Sequence, residues 1–508
     1  MHDIIEPSHS DMPLDLAIWL PPLQAWRSVY GNGFCDEAMQ ACMDRLKGLG
    51  IDAQSLERAG DTLLVRGFDP RTLADTVLPG HHARHGWMHA LESALVSEPV
   101  VHGSRQAYLR AEVQALGCVS FAGLHEIRGK GHATAGGQDM AVRRMPARLI
   151  KGYQADMQLA GRLLDDLRLG HLALAFQPVT LLEPGGMAGG GSGTGTGRTL
   201  YHECLLRRSV FSAYDNYAVP HAIEALERLG LAARLDRSVL WSVIGALEMK
   251  TGHSLGCNLS AASFCDEAWW EGVFDYLEER PEIAQRLVLE ITETGVFPCE
   301  KAALGLVRHL QILGVRVALD DIVPRRGGLD ILGKLRANIV KIDKSVLDQS
   351  LQARPSARML QGLISLCADR GACVIVEGVE SAQGMEAVAL AGAHGVQGFF
   401  IARPSLHGLL DQVVCVADVL EVLQASEAQE GDALDMALSM ALSWSGMDRV
   451  PALSAADGGT GGAVGAVRRL GAQGPAPERT GRARPALHLT PASAGSPCAA
   501  PWPGGTGP

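Results

Sequence analysis

The chain has 508 residues, 47% of them hydrophobic and 20% charged, with a formal net charge of −11 at pH 7. That length implies more than one domain and that composition supplies apolar cores, while the negative balance excludes broad electrostatic binding to a nucleic acid polymer or an anionic membrane. No run of about 18 apolar residues marks a membrane span, and the acids and histidines of Met1 to Met12 stand where a signal peptide needs basic residues and an apolar block. The 11 cysteines are scattered without a CxxC pair, so reduced thiols in a cytoplasmic protein are expected.

Residues 1–142 read as a small α/β domain. Leu14 to Leu20 is strand-like, Asp36 to Leu49 has the pattern of an amphipathic helix, and Thr62 to Val65 is a further strand, preceded by a turn in Arg58-Ala59-Gly60-Asp61-Thr62-Leu63. Residues 143–170 form a helical connector, with Ile150, Tyr153, Met157, Ala160, Leu163, Leu164 and Leu167 on one face. From 171 to 423 strand and helix alternate. Strand-like runs lie at 172–179, 199–207, 255–260, 287–292, 315–321, 338–343, 372–379 and 395–400, with helical stretches at 219–250, 266–280, 300–313, 356–370 and 380–392.

Eight strands alternating with helices suggest an α/β fold closed into a (β/α)8, TIM-like barrel. Glu183 to Arg198, rich in Gly, Ser and Thr, joins the first two strands without a helical pattern. A direct loop permits an antiparallel first strand, which a crossover helix does not. Residues 424–508 thin into Ala, Gly, Pro and Arg without period, and disorder is expected over most of them.

Leu319-Asp320-Asp321 ends the apolar run that starts at Val315. Strand side chains alternate in direction, so two adjacent acids converge only where the strand stops, and their repulsion is costly unless cations or a shared proton relieve it. The other strand ends carry Glu203, Asn258, Glu290, Lys341, Glu377 and Gln397, at the positions where this architecture holds its catalytic groups. Hard oxygen donors in that number suit Mg²⁺, Mn²⁺ or Ca²⁺ rather than a thiolate zinc site. Five acids can hold two such ions for attack of water on phosphorus, and Lys341 can orient that water or stabilise phosphoryl charge.

Glu203-Cys204-Leu205-Leu206-Arg207 resembles the Glu-Ala-Leu-Leu-Arg signature of EAL-domain cyclic di-GMP phosphodiesterases. Phe176-Gln177-Pro178-Val179, Asn258-Leu259-Ser260, Glu290-Ile291-Thr292-Glu293, Leu319-Asp320-Asp321, Lys341-Ile342-Asp343, Glu377-Gly378-Val379-Glu380 and Gln397-Gly398-Phe399 follow in that family's order. The resemblance implies hydrolysis of cyclic di-GMP to linear pGpG with Mg²⁺ or Mn²⁺. It implies one metal on Glu203, Asn258, Glu290 and Asp320, and a second on Asp320, Asp321 and Glu377. Lys341 would assist the water, Gln397 would support the site, Arg207 would hold a substrate phosphate, and Glu293 would fix the loop after the fifth strand.

In active members that loop reads Asp-Asp-Phe-Gly-Thr-Gly-Tyr-Ser and couples metal binding to dimer contacts, which implies a homodimer through the barrel. Here Asp321 is followed by Ile322-Val323-Pro324-Arg325-Arg326-Gly327-Gly328-Leu329, where β-branched residues and proline restrict the backbone. Arg208 stands where the family usually has Trp. The turn at Ala59 to Thr62 resembles the hairpin of a GGDEF cyclase domain in degenerate form, retaining only Gly60 and Asp61 of its glycines and acids.

Three readings follow. Retention of all the polar strand-end residues favours a metal-dependent phosphodiesterase. The degenerate N-terminal half and the altered loop favour a catalytically weak or inactive cyclic di-GMP receptor. The loop alone supports a module that binds only other proteins.

Overall fold

The computed structural model describes residues 14–416 except 71–85, 117–144, 184–195, 325–331 and individual positions within 210–216, 250–251, 266, 293–298 and 408–412. The expected tail at 424–508, most of the loop at 183–198, Glu293, and Arg325 onward in the altered loop lie outside the described residues.

The N-terminal part is a four-stranded sheet in the order β2-β3-β1-β6, comprising β1 (Leu14–Trp19), β2 (Leu56–Ala59), β3 (Thr62–Phe68) and β6 (Glu112–Leu116), with every pairing antiparallel. Helices α1 (Leu23–Val29) and α2 (Asn32–Gly48) follow β1. On α2 the buried residues Phe34, Cys35, Ala38, Met39, Cys42 and Leu46 recur at three- and four-residue spacing, which fixes the face turned to the core. The β2–β3 hairpin turns on Gly60 at φ 67°, a left-handed conformation that glycine adopts without a Cβ clash. The expected helix was four residues short at its start, and α1, only seven residues long, gave no periodic window to read. Helix α3 (Gly86–Val96) and the hairpin β4 (Val100–His102) to β5 (Arg105–Ala107) complete this part.

Helix α4 (Ala147–Arg168) is the connector anticipated from periodicity, and it buries Met157, Ala160, Leu163, Leu164 and Leu167. It is bonded on both sides. Trp26 Nε1 donates to Tyr153 Oη at 2.9 Å and Gln154 Nε2 to the Val29 carbonyl at 3.3 Å, while Asp156 accepts from Arg228 of α5 (Val219–Leu229) at 2.8 Å. Buried side chains of the N-terminal sheet, α4 and the barrel form one continuous apolar cluster.

The second sheet runs β14-β13-β12-β11-β10-β9-β8-β7, closed by antiparallel pairing of β14 with β7. Its strands are β7 (Leu172–Leu182), β8 (Thr196–Arg208), β9 (Leu255–Leu259), β10 (Leu287–Thr292), β11 (Arg316–Ile322), β12 (Ile339–Ile342), β13 (Cys373–Val376) and β14 (Gly395–Val396). Strand β7 is antiparallel to β8, as the direct loop allowed, and β8 through β14 are parallel. A short outer strand, β15 (Val414–Val416), also pairs with β7 and was too brief to be read from sequence.

Two helical expectations change. The stretch 219–250 divides into α5 and α6 (Ala232–Met249) at Gly230, whose left-handed φ of 70° caps α5. An unanticipated helix α9 (Lys344–Gln352) precedes α10 (Arg354–Ala368), with the Asp343 carboxylate accepting from Ser345 N at 3.0 Å as its N-cap. Between these lie α7 (Glu267–Glu279) and α8 (Glu300–Leu313), and α11 (Ala382–Leu390) follows β13.

Leu163 on α4 is fully buried. Leu163→Ala is expected to cost about 2–5 kcal/mol of stability in urea denaturation; a loss below about 0.5 kcal/mol would show that α4 carries no shared core.

Candidate functional site

Strand alternation builds the site. Val179, Leu200, Tyr201, Val288, Ala318, Ile339 and Ile375 form a separate apolar cluster inside the barrel. Two residues beyond Tyr201, Val288, Ala318, Ile339 and Ile375 stand Glu203, Glu290, Asp320, Lys341 and Glu377, on the same inward face and one layer nearer the carboxyl ends. Gly256 and Gly395 occupy the same layer beneath Asn258 and Gln397. A Cβ at Gly256 would lie 2.4 Å from Glu290 Oε1 and 2.6 Å from the Tyr201 ring, and one at Gly395 would lie 2.7 Å from the Thr180 carbonyl. Gly256 leaves the room that the buried acid and the tyrosine fill, and Gly395 lets the backbone of β7 approach β14.

At the centre lies Lys341, fully buried. Its Nζ donates to Glu290 Oε2 at 2.6 Å and Glu203 Oε2 at 3.1 Å, with Glu377 Oε1 at 2.8 Å and Asp320 Oδ1 at 3.1 Å. Burial alone would neutralise the ammonium, but Asp320, Glu203, Glu290 and Glu377 together hold it charged and raise its pKa well above the usual lysine range. Glu203 also accepts from Asn258 Nδ2 at 2.7 Å and Gln397 Nε2 at 2.6 Å. Burial pushes Glu203 upward, yet Lys341 and these amides keep it below the ordinary glutamate value. Glu290 is instead pushed up to about 8, by burial and then by Glu203. Asp321 rises to about 7 through burial and the neighbouring Asp320.

Asp321 is the one non-glycine residue with positive φ, at 57°, among the described residues. That strained backbone lets consecutive acids serve one mouth, since an extended strand would send them to opposite faces. Ile322 continues β11, fully buried and paired with Ile342.

Ligand oxygens of Glu203, Glu290 and Asp320 lie within 4.8 Å of one another, and so do those of Asp320, Asp321 and Glu377. Asp320 belongs to both groups. Glu290 Oε1 is buried without a hydrogen-bond partner, a costly state that a cation relieves. The donor set is all oxygen and strongly anionic, so it fits hard divalent cations.

Other expected residues fall as follows. Arg207, one residue before the end of β8, is half-buried, its Nη1 donating to the Leu206 carbonyl at 2.8 Å. Gln397 Nε2 reaches Gln177 Oε1 at 3.3 Å, and Gln177 Nε2 donates to the Ala402 carbonyl at 3.0 Å. Gln177 was quoted only as part of an opening strand, and its polarity within an otherwise apolar run was the available signal. Asp236 of α6 was missed. It is buried, pushed up to about 7 by that burial, and accepts from Ser260 N at 2.9 Å and Ser263 Oγ at 2.6 Å, pinning the turn after Asn258.

Between the ordinary glutamate value and about 8, folded Glu290 retains a proton that the unfolded chain has lost, so metal-free stability falls as pH rises through this window. A cation takes the place of those protons. In thermal melts under EDTA the protein is expected to be less stable at pH 8 than at pH 6, and Mn²⁺ to raise Tm more at pH 8. An Mn²⁺ shift that is absent, or larger at pH 6, would contradict this electrostatic reading.

Residues 160–404 match the family model described as EAL domain. A 254-residue stretch is 26% identical to "Cyclic di-GMP phosphodiesterase PdeF" of Escherichia coli, covering 48% of this chain and 32% of that protein. Another of 256 residues is 25% identical to "Bifunctional diguanylate cyclase/cyclic di-GMP phosphodiesterase MucR" of Pseudomonas aeruginosa, covering 49% and 36%. The match thus spans about a third of the length of these curated relatives. Among solved structures, the FimX EAL domain from Pseudomonas aeruginosa bound to c-di-GMP superposes with a TM-score of 0.40 at 26% identity, covering 49% of this chain and 96% of that one. The closed barrel and its antiparallel first strand lie within residues 160–404, the segment that matches the EAL domain family model.

Proposed function

We propose that the barrel hydrolyses cyclic di-GMP to linear pGpG with two Mg²⁺ or Mn²⁺ ions. The observation that carries this reading is the pair of carboxylate groups sharing Asp320. Glu203, Asn258, Glu290 and Asp320 hold the first ion, and Asp320, Asp321 and Glu377 the second. When bound, the ions supply charge neutralisation for attack of water on phosphorus. In that hydrolysis the water oxygen joins phosphorus, one P–O ester bond breaks, and the released sugar oxygen takes a proton. Lys341, fixed by four carboxylates, orients the water, Gln397 holds Glu203, and Arg207 binds a phosphate through its paired N–H groups. A role for Glu293 toward the loop after β11 is carried over from the family resemblance alone.

The domain reading is 1–142 as a degenerate GGDEF-like domain, 143–170 as connector, 171–423 as the EAL-type barrel and 424–508 as a C-terminal tail. Arg27 Nη1 donates to Asp61 Oδ2 at 2.6 Å, and a second contact closes the pair. The acid retained from the hairpin is therefore engaged by an arginine, which opposes cyclase chemistry there. A cytoplasmic location fits the free cysteines, and a homodimer through the barrel is carried over from the family. A second reading, a receptor with weak or no turnover, is favoured by Ile322, whose burial in β11 stiffens the start of the altered loop.

Purified protein with cyclic di-GMP and Mn²⁺ is expected to yield pGpG by chromatography, with none under EDTA. Glu203→Gln is expected to lower the rate by on the order of a hundredfold or more. Arg207→Ala is expected to weaken nucleotide binding about tenfold. Saturable binding without product would replace the enzyme by the receptor; neither signal would overturn both.

A further inference from the structure

The last turn of α4 carries two adjacent acids, Asp165 and Asp166, where the helix dipole disfavours negative charge. Both are buried, at 6% and 0% exposure, so their oxygens need donors. Asp165 takes its donors from two directions. From the N-terminal domain, Tyr108 Oη donates at 2.5 Å and Gln106 Nε2 at 3.2 Å; from the segment after β8 comes the Tyr214 hydroxyl. Asp166 accepts from Ser212 Oγ at 2.7 Å and Tyr217 Oη at 2.8 Å, with Arg208 Nε at 3.4 Å and His171 Nδ1 at 3.5 Å.

Arg208 ties that segment to itself as well. Its Nη2 donates to Ser212 Oγ and to the Tyr214 carbonyl, each at 2.7 Å, and its guanidinium lies 4.2 Å over the Tyr217 ring. Across the domain junction, Arg234 of α6 donates to the Val96 carbonyl at 2.8 Å and lies 5.5 Å over the Tyr108 ring. Arg207 and Arg208 are consecutive in β8, so their side chains leave opposite faces of the same backbone. Fixing Arg208 on one face sets where Arg207 stands on the other.

We propose that Asp165 and Asp166 are positioning residues for Arg207. Through them Tyr108 of the N-terminal domain holds Arg208 at the end of β8 together with Ser212, Tyr214 and Tyr217, and thereby sets the affinity of the barrel for its phosphodiester ligand. The identity of that ligand rests on the cyclic di-GMP reading; the mechanical link does not.

Full-length protein carrying Tyr108→Phe, with Asp165→Asn as a second variant, is compared with wild type in two measurements. Backbone amide exchange over 207–218 is expected to quicken in both variants. Calorimetry is expected to give cyclic di-GMP binding about three- to tenfold weaker, the scale of coupling carried through contact networks, with KM raised and kcat held. Tyr153→Phe, which removes a different hydrogen bond at the same junction, is expected to change neither. Unaltered affinity in a protein that binds the nucleotide overturns the proposal, as does an equal loss in Tyr153→Phe. If wild type binds no cyclic di-GMP, the functional reading fails and exchange alone decides: quickened exchange upholds the link, unchanged exchange overturns it.

Discussion

A single buried ammonium organises the barrel mouth. Lys341 sits among Glu203, Glu290, Asp320 and Glu377 at 2.6–3.1 Å, and one positive charge does not neutralise four negative ones and Asp321 beside them. Removing any partner from such a cluster leaves charge buried without compensation. The arrangement divides the acids: Glu203 is held ionised by Lys341 and two amides, while burial and mutual repulsion push Glu290, Asp320, Asp321 and Glu377 toward neutrality, a cost that a cation relieves.

Much of this was legible in the sequence because a parallel barrel converts strand order into spatial adjacency. Each site residue closes its own apolar run, so Glu203, Asn258, Glu290, Asp320, Lys341, Glu377 and Gln397 stand out in the sequence, and the structure brings them to one mouth. The antiparallel β7 followed from a connecting loop without helical pattern. What stayed hidden depends on contacts across distant segments. The role of Gly256 becomes visible only when Tyr201 and Glu290 are seen to claim its Cβ volume. Asp236 looked like one polar residue in a helix, and its service to Ser260 depends on how α6 docks. The positive φ of Asp321 has no signature in residue type.

The N-terminal part is not a separate bead on a linker. Helix α4 bonds to α1 through Trp26 and Tyr153 and to α5 through Asp156, and its buried acids gather donors from both sides. Periodicity identified α4 and its apolar face but said nothing of Asp165 and Asp166, which interrupt that face and read as ordinary surface acids. In the hairpin, Asp61 is likewise spoken for by Arg27. The contacts of α4 tie the N-terminal part to the barrel.

On the proposed function, the strand-end carboxylates form two cation sites sharing Asp320. Calorimetric titration of metal-stripped protein with Mn²⁺ at pH 8 tests it most directly. Two ions per chain are expected, falling to one in Glu377→Gln. One ion in both proteins, or none in wild type, would contradict it.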